Sequence, residues 1–381
     1  MSKWTTNEEN ILMNLVKKGR TTEEIAKELN RSYKSVMHRR ADLMRGNPTF
    51  LMKDDETKRE KEILSVEVKN SKALNYLGIE IGKNLYKNYK KINLIEPKLI
   101  YKNENKREEQ SILDISDSHI SMINEVFDSD VGRNVVTYNM KIFEHELSVL
   151  LKSVIQIHKL LSNAYNLKKL TIFIMGDIVT NDRIFEEQVF EIEKVVGLQV
   201  WDAINYLTYA INTLLSVYEK IDVVCVVGNH GRSLPDSYEE PVQNNYEYFI
   251  YKSLEKQFLN SKRVKIIVPE SRRYLHTILH WRHFVEHGDS MRGTTATGIE
   301  KQIKDLSINV GGFDVLHYGH YHKLSDTEIS DKVIVKQNGS WIYKDNYAWK
   351  KYKYYSIPKQ WFFGCDEKRP ETWHYKIDLR G

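Results

Sequence analysis

The chain has 381 residues, with 57 lysines and arginines against 52 aspartates and glutamates and a formal net charge of +5. At 41% hydrophobic and 29% charged, with only 7 prolines and 18 glycines, its composition excludes a disordered or collagen-like polymer. No stretch approaches the roughly 18 uninterrupted apolar residues of a membrane span, and MSKWTTNEEN lacks an apolar signal region, so a cytoplasmic protein with no membrane partner is expected.

Residues 1–45 read as three short helices. In the first, Thr6 and Glu9 form a capping box, Ile11, Leu12, Leu15 and Val16 share one face, and Gly19 is the stop. Thr21 and Glu24 cap the second, with Ile25, Ala26 and Leu29 inward and Asn30 at its end. The third begins at Ser32, offers Val36, Met37, Leu43 and Met44 to a core, and carries Lys34, Ser35, His38, Arg39 and Arg40. Trp4 is placed to pack across the top. This unit looks like a Myb-like helix-turn-helix, in which the third helix enters the major groove, and those five residues are the expected DNA contacts. The bland alternative is a trihelical interaction module with a solvated basic helix.

Residues 46–108 read as a charged linker with a helical segment. From 109 to 381 apolar strand candidates alternate with amphipathic stretches. The strands are SILDIS, LTIFIMG, DVVCVVG, VKIIV, HFVEHG, DVLHYG and VIVKQNG, and helical periods run through 143–161 and 200–220. An α/β (α+β) domain of sheets covered by helices follows. The two cysteines, Cys225 and Cys365, exclude a disulfide framework and read as reduced thiols, Cys225 within a buried strand.

The chemistry gathers at the strand ends. Asp117 and His119 follow the first strand, Asp177 follows Gly176, and Asn229 and His230 follow Gly228. His287 precedes Gly288, and His320 and His322 follow Gly319. Oxygen and nitrogen donors without thiolate suit hard or borderline divalent ions. These eight residues, seven of them candidate ligands, exceed one tetrahedral site, which points to two ions sharing a carboxylate.

In the order of these motifs, DSH, GD, GNH, HG and GHYH, the chain resembles the calcineurin-like metallophosphoesterase superfamily over residues 110–341. The resemblance implies a two-sheet sandwich flanked by helices. Asp117, His119 and His322 would hold one metal, and Asn229, His287 and His320 the other. Asp177 would bridge them, and His230 would face the substrate as proton donor. Manganese is the expected metal, with iron, zinc or magnesium as alternatives. Many relatives place Asp or Glu after the GNH histidine; here Gly231 and Arg232 follow, which leaves the orientation of His230 open. Arg232 is a candidate phosphate contact, Asp289 and Arg292 are candidate supporting groups, and Asn338 is a candidate for shaping the rim.

The segment WIYKDNYAWKKYKYYSIPKQWFF, residues 341–363, interleaves aromatics with lysine and suits stacking on bases, or else supplies strands capping the sandwich. Together with the first 45 residues it makes a DNA nuclease similar to SbcD-type repair exonucleases the leading expectation. The alternative is a phosphatase or phosphodiesterase acting on protein or nucleotide phosphoesters. A homodimer and a separate ATPase partner stay open.

Overall fold

The computed structural model describes residues 4–18, 20–45, 106–186, 188–235, 240–291, 296–329 and 333–381. The charged linker reading at 46–105, Gly19 and Arg292 lie outside them. The chain divides into two compact units, Met1–Ile92 and Asn93–Gly381.

In the first unit, α1 spans Thr6–Lys17, α2 Thr22–Glu28 and α3 Tyr33–Arg45. Thr5 with Glu8, and Thr21 with Glu24, form reciprocal capping boxes. The first of these is a correction: both Thr5-x-x-Glu8 and Thr6-x-x-Glu9 fit the sequence pattern. Here Glu9 instead accepts from Arg39 Nε of α3 at 2.9 Å. Leu12, Leu15, Ile25, Ala26 and Val36 make the core, with Trp4, Leu29 and Leu43 packed against it. Ile11 and Met37, expected inside, are 38% and 41% exposed.

The second unit carries two sheets. A six-stranded sheet runs β13-β12-β1-β4-β5-β6. Its central strands β1 (Arg107–Ile115), β4 (Tyr165–Ile174), β5 (Lys220–Cys225) and β6 (Val264–Ile267) are mutually parallel. The strands β12 (Lys359–Cys365) and β13 (Trp373–Asp378) add antiparallel at the β1 edge. A five-stranded sheet runs β10-β11-β9-β8-β7, built from β7 (Arg273–Ile278), β8 (Trp281–Glu286), β9 (Val315–Tyr318), β10 (Ser325–Ile329) and β11 (Val333–Gln337). In it β8, β9 and β11 are parallel. A separate hairpin pairs β2 (Asn124–Asp128) with β3 (Arg133–Tyr138).

The parallel connections are made by α4 (Met140–Leu161), α5 (Val196–Leu214) and α6 (Tyr246–Gln257). Alternation along the strands sorts side chains between two cores. Leu113, Ile172, Ile174, Ile221 and Val223 meet these helices. Ile112, Phe173, Met175 and Val224 face Ile278 and Val285 of the second sheet. Strands buried on both faces read as continuous apolar runs, which is why the sequence marked them. The helix α7 (Ala296–Val310) packs through Ile303 on the outer face of the second sheet. Both cysteines are free and buried. No helix among the described residues is long and apolar enough to cross a membrane.

Candidate metal centre

Parallel strands end at a common edge, so the loops after β1, β4, β5, β8 and β9 meet at one rim. Three overlapping groups of ligand atoms form there, with all atoms of each group within 4.8 Å of one another: Asp117, His119 and His322; His119, Asp177 and His230; Asp177, His287 and His320. The ring nitrogens His119 Nε2 and His322 Nε2 face each other at 3.1 Å. On the other side, His287 Nε2 lies 2.9 Å from Asp177 Oδ2, 3.0 Å from Asn229 Oδ1 and 3.3 Å from His320 Nδ1. All seven sequence-predicted ligand residues therefore converge, and Asp177 stands between the two halves.

The backbone is bent to achieve this. Asp117, His119, Asp177, His320 and His322 all have φ between 43° and 68°, a left-handed conformation that side chains disfavour. Hydrogen bonds hold the bends: Asp117 N–H donates to Gly176 O at 3.1 Å, His119 N–H to Asp177 O at 3.0 Å, and His320 N–H to Asp117 Oδ1 at 3.0 Å. The neighbouring glycines are required by close approach. A Cβ at Gly228 would lie 2.2 Å from Asp177 Oδ1, and one at Gly319 would lie 2.2 Å from Asp117 Oδ2.

Burial and charge divide the histidines of the cluster. Burial, then the neighbouring histidines, holds His119 and His320 well below the usual histidine range. Burial opposes a charged His287, but Asp177, Asp117 and Asp289 outweigh it and hold the ring well above that range. Asp177 stays ionised despite its burial because His287 and His230 face it. Imidazoles and carboxylates turned toward one another, without competing lysine or arginine among them, are the donor set of divalent cations, which would displace the protons that neighbouring aspartates hold on His287 and His322. The residues fit two such ions. His320 and His230 are half-buried whereas the other six are buried, so these two line the mouth.

The open question about His230 has a structural answer. Its Nδ1 lies 2.8 Å from the carbonyl of Thr180, with Gln188 Nε2 at 3.3 Å, and its Nε2 lies 4.0 Å from Asp177 Oδ2. The carbonyl fixes the proton on Nδ1 and leaves Nε2 toward the centre. The Phe185 ring sits 5.0 Å away. Burial pushes the His230 pKa below its ordinary value.

Arg232 departs from its expected role. It is 4% exposed, and its Nε donates to Asn229 O at 2.8 Å, so it braces the loop from within. Asn338 is fully buried beneath the site, donating to Ser116 Oγ and Gln360 Oε1 at 3.1 and 2.7 Å. Of the expected DNA contacts, Lys34 and His38 are exposed and Ser35 is half-buried. Arg39 is paired with Glu9, and Arg40 donates to Thr22 Oγ1 at 3.2 Å.

Several supporting residues escaped the sequence reading. Asp345 accepts from His322 Nδ1 through Oδ2. Glu247 of α6 accepts the N–H groups of Ile178 and Gly228, each at 2.6 Å, and so ties together the loops bearing Asp177 and Asn229. Asn181 Nδ2 donates to His230 O and Arg232 O at 2.7 and 2.8 Å.

No family model and no curated protein matches the chain. Among solved structures it is similar to Vacuolar Protein Sorting 29 from Cryptosporidium parvum, at 12% identity over 71% of this chain and 99% of that one, with a TM-score of 0.32. It is also similar to a conserved uncharacterized protein, a predicted phosphoesterase, from Streptococcus pneumoniae TIGR4, at 11% identity, 68% and 84% coverage and a TM-score of 0.29. A hypothetical protein from Pyrococcus horikoshii OT3 gives 12% identity, 71% and 88% coverage and a TM-score of 0.35. Likeness this distant assigns no family and no activity; a functional reading has to come from the side chains themselves.

Proposed function

We propose that the chain is a metal-dependent phosphoesterase that hydrolyses phosphodiester bonds in DNA. Asp117, His119 and His322 would hold one divalent cation, and Asn229, His287 and His320 a second, with Asp177 shared. Manganese suits this oxygen and imidazole set, as do iron, zinc or magnesium. Such a pair supplies positive charge for the phosphate oxygens and an acidified water as nucleophile. The observation that carries the reading is the position of Asp177, whose carboxylate groups with His119 on one side and with His287 and His320 on the other.

The chain's own residues supply the proton traffic. His230, anchored through Nδ1 to Thr180 O, presents Nε2 at the mouth. When the ring is doubly protonated, Nδ1–H stays on Thr180 O while the Nε2 proton passes to the departing oxygen as the phosphorus–oxygen bond breaks, sparing a costly alkoxide, and the neutral ring left behind regains its proton from solvent. Asp177 Oδ1 accepts the His230 N–H at 2.8 Å and so couples the donor's position to the shared carboxylate.

DNA as substrate is supported by Lys34 and His38, exposed on the third helix of the amino-terminal unit. A second reading is favoured by Arg39 and Arg40, which are engaged within that unit; the helices would then be an interaction module on a phosphatase. Protein stripped with chelator and reloaded with manganese decides between them. Cleavage of labelled single-stranded or duplex DNA, lost in Asp177→Asn, is the expected result. Intact DNA together with turnover of nucleotide or phosphoserine monoesters would install the phosphatase.

A further inference from the structure

We propose that residues 343–355 form a docking platform for single-stranded DNA beside the His322 side of the metal centre; this rests on the DNA reading above and names the form of DNA. Between Tyr343 and Tyr355 the chain places six aromatic residues and four lysines, with Asp345 the one acid. That acid is already engaged: Oδ2 takes His322 Nδ1, and Oδ1 accepts Tyr347 N–H at 2.8 Å. The surface left over is cationic and aromatic.

Its geometry leads from solvent to the site. The helix α8 (Asn346–Tyr352) buries only Ala348. Tyr352 packs on the core of the second sheet, but core packing does not account for Trp349, Lys350 and Lys351, all exposed. Trp349 and Tyr355 stack on each other with centroids 4.7 Å apart and planes 12° apart, yet remain 44% and 43% exposed. Lys350 and Lys353 are exposed beside them. Further in, Lys351 Nζ lies 5.0 Å from the Tyr347 ring and donates to Tyr347 Oη at 2.7 Å. Tyr347 in turn lies 5.5 Å from the ring of His322. Next to His322 in sequence, Lys323 sits over Tyr354 at 5.6 Å. A flat pair of rings with ammonium groups alongside, continuing to a phosphate-directed centre, matches a strand whose bases stack while its backbone runs along the lysines.

Charge selects the occupant. A second copy of this chain would bring lysines against lysines, whereas a polyanion neutralises them. A duplex keeps its bases stacked on each other, so it offers Trp349 and Tyr355 no ring face. The single strand does.

The test measures binding of labelled oligo-dT and of a duplex of equal length to the full chain in EDTA, where cutting stops. Wild type should prefer the single strand. Trp349→Ala/Tyr355→Ala should weaken oligo-dT binding by roughly ten- to a hundredfold, as loss of base stacking does, and move duplex binding little. Lys350→Gln/Lys353→Gln should flatten the salt dependence of oligo-dT binding by about one phosphate contact or more. Circular dichroism and manganese content establish that each variant is folded. Oligo-dT affinity and salt slope unchanged in both folded variants overturn the platform, while DNA cleavage by wild type still upholds the nuclease. Wild type that turns over small phosphoesters but neither binds nor cuts DNA overturns both.

Discussion

Asp345 braces His322 and caps α8 at the same time, one oxygen for each task. Replacing it with asparagine keeps the shape but removes one acceptor, and the two tasks then compete. If the amide oxygen stays on Tyr347 N–H, the amide nitrogen confronts His322 Nδ1 as a donor. The imidazole must then accept there and carry its proton on Nε2, the atom 3.1 Å from His119 Nε2 and 3.5 Å from Asp117 Oδ1. A protonated Nε2 has no lone pair for a cation. Loss of such an orienting partner lowers metal affinity by about 10- to 100-fold, or ~1.4–2.8 kcal/mol. If the amide instead turns over to accept from His322, the helix cap is lost, at about 1 kcal/mol of stability. Asp345→Ala loses both. Manganese titration calorimetry on chelator-stripped protein reads the first effect, and thermal melting reads the second. Asp345→Asn with wild-type affinity for two ions and wild-type Tm would refute this account of the brace.

Three further outcomes test the site and its support. His230→Ala should keep its manganese and lose roughly two to four orders of magnitude on DNA, but far less on bis(p-nitrophenyl) phosphate, whose leaving group needs no proton; equal losses on both substrates would remove His230 as the donor. Gly228→Ala, which drives a Cβ to 2.2 Å from Asp177 Oδ1, should purify with little metal, and metal analysis at wild-type stoichiometry would contradict the close approach. Away from the site, His158 packs against Tyr218 with ring centroids 4.5 Å apart, and burial pushes its pKa from 6.5 down to about 4. The unfolded chain takes up that proton first, so stability present above pH 6.5 is lost as the pH falls toward 4, by up to about 3 kcal/mol. His158→Leu should flatten Tm against pH across that window, and an unchanged slope would show that His158 does not set it.

The strands and ligands were legible because both are local. DVVCVVG and LTIFIMG are apolar throughout since β5 and β4 are covered on both faces, and each ends in a glycine the site itself demands. The strands β10 and β13 alternate between polar exposed and half-buried positions, and nothing in SDTEI or WHYKID outweighs that polarity. The segment at 341–363 fits both of its readings in part. Trp361, Phe362 and Phe363 are core residues of β12, whereas Trp349 and Tyr355 lie on the surface. Asp345 stands 23 residues from His322, and Thr180 contributes a backbone carbonyl that any residue would supply. Neither leaves a mark in the sequence.

The surroundings of Gly231 show why such partners matter. A side chain after the GNH histidine would put its Cβ 2.1 Å from Asn245 Oδ1 and 2.7 Å from Glu247 Cγ, so that space is already filled from α6. What fills it is itself an acid. Glu247 binds the N–H groups of Ile178 and Gly228, while Asn245 Nδ2 donates to Gly228 O at 3.0 Å and its Oδ1 accepts Glu247 N–H at 2.9 Å. Five ligand residues hold left-handed backbone conformations, each costing of order 1–3 kcal/mol, and such bends persist only where the surroundings over-determine them. The helix start at Asn245–Glu247 and Asp345 are part of that over-determination. The ligand geometry is thus held in part by residues outside every motif, Glu247 through two backbone N–H groups and Asp345 through His322.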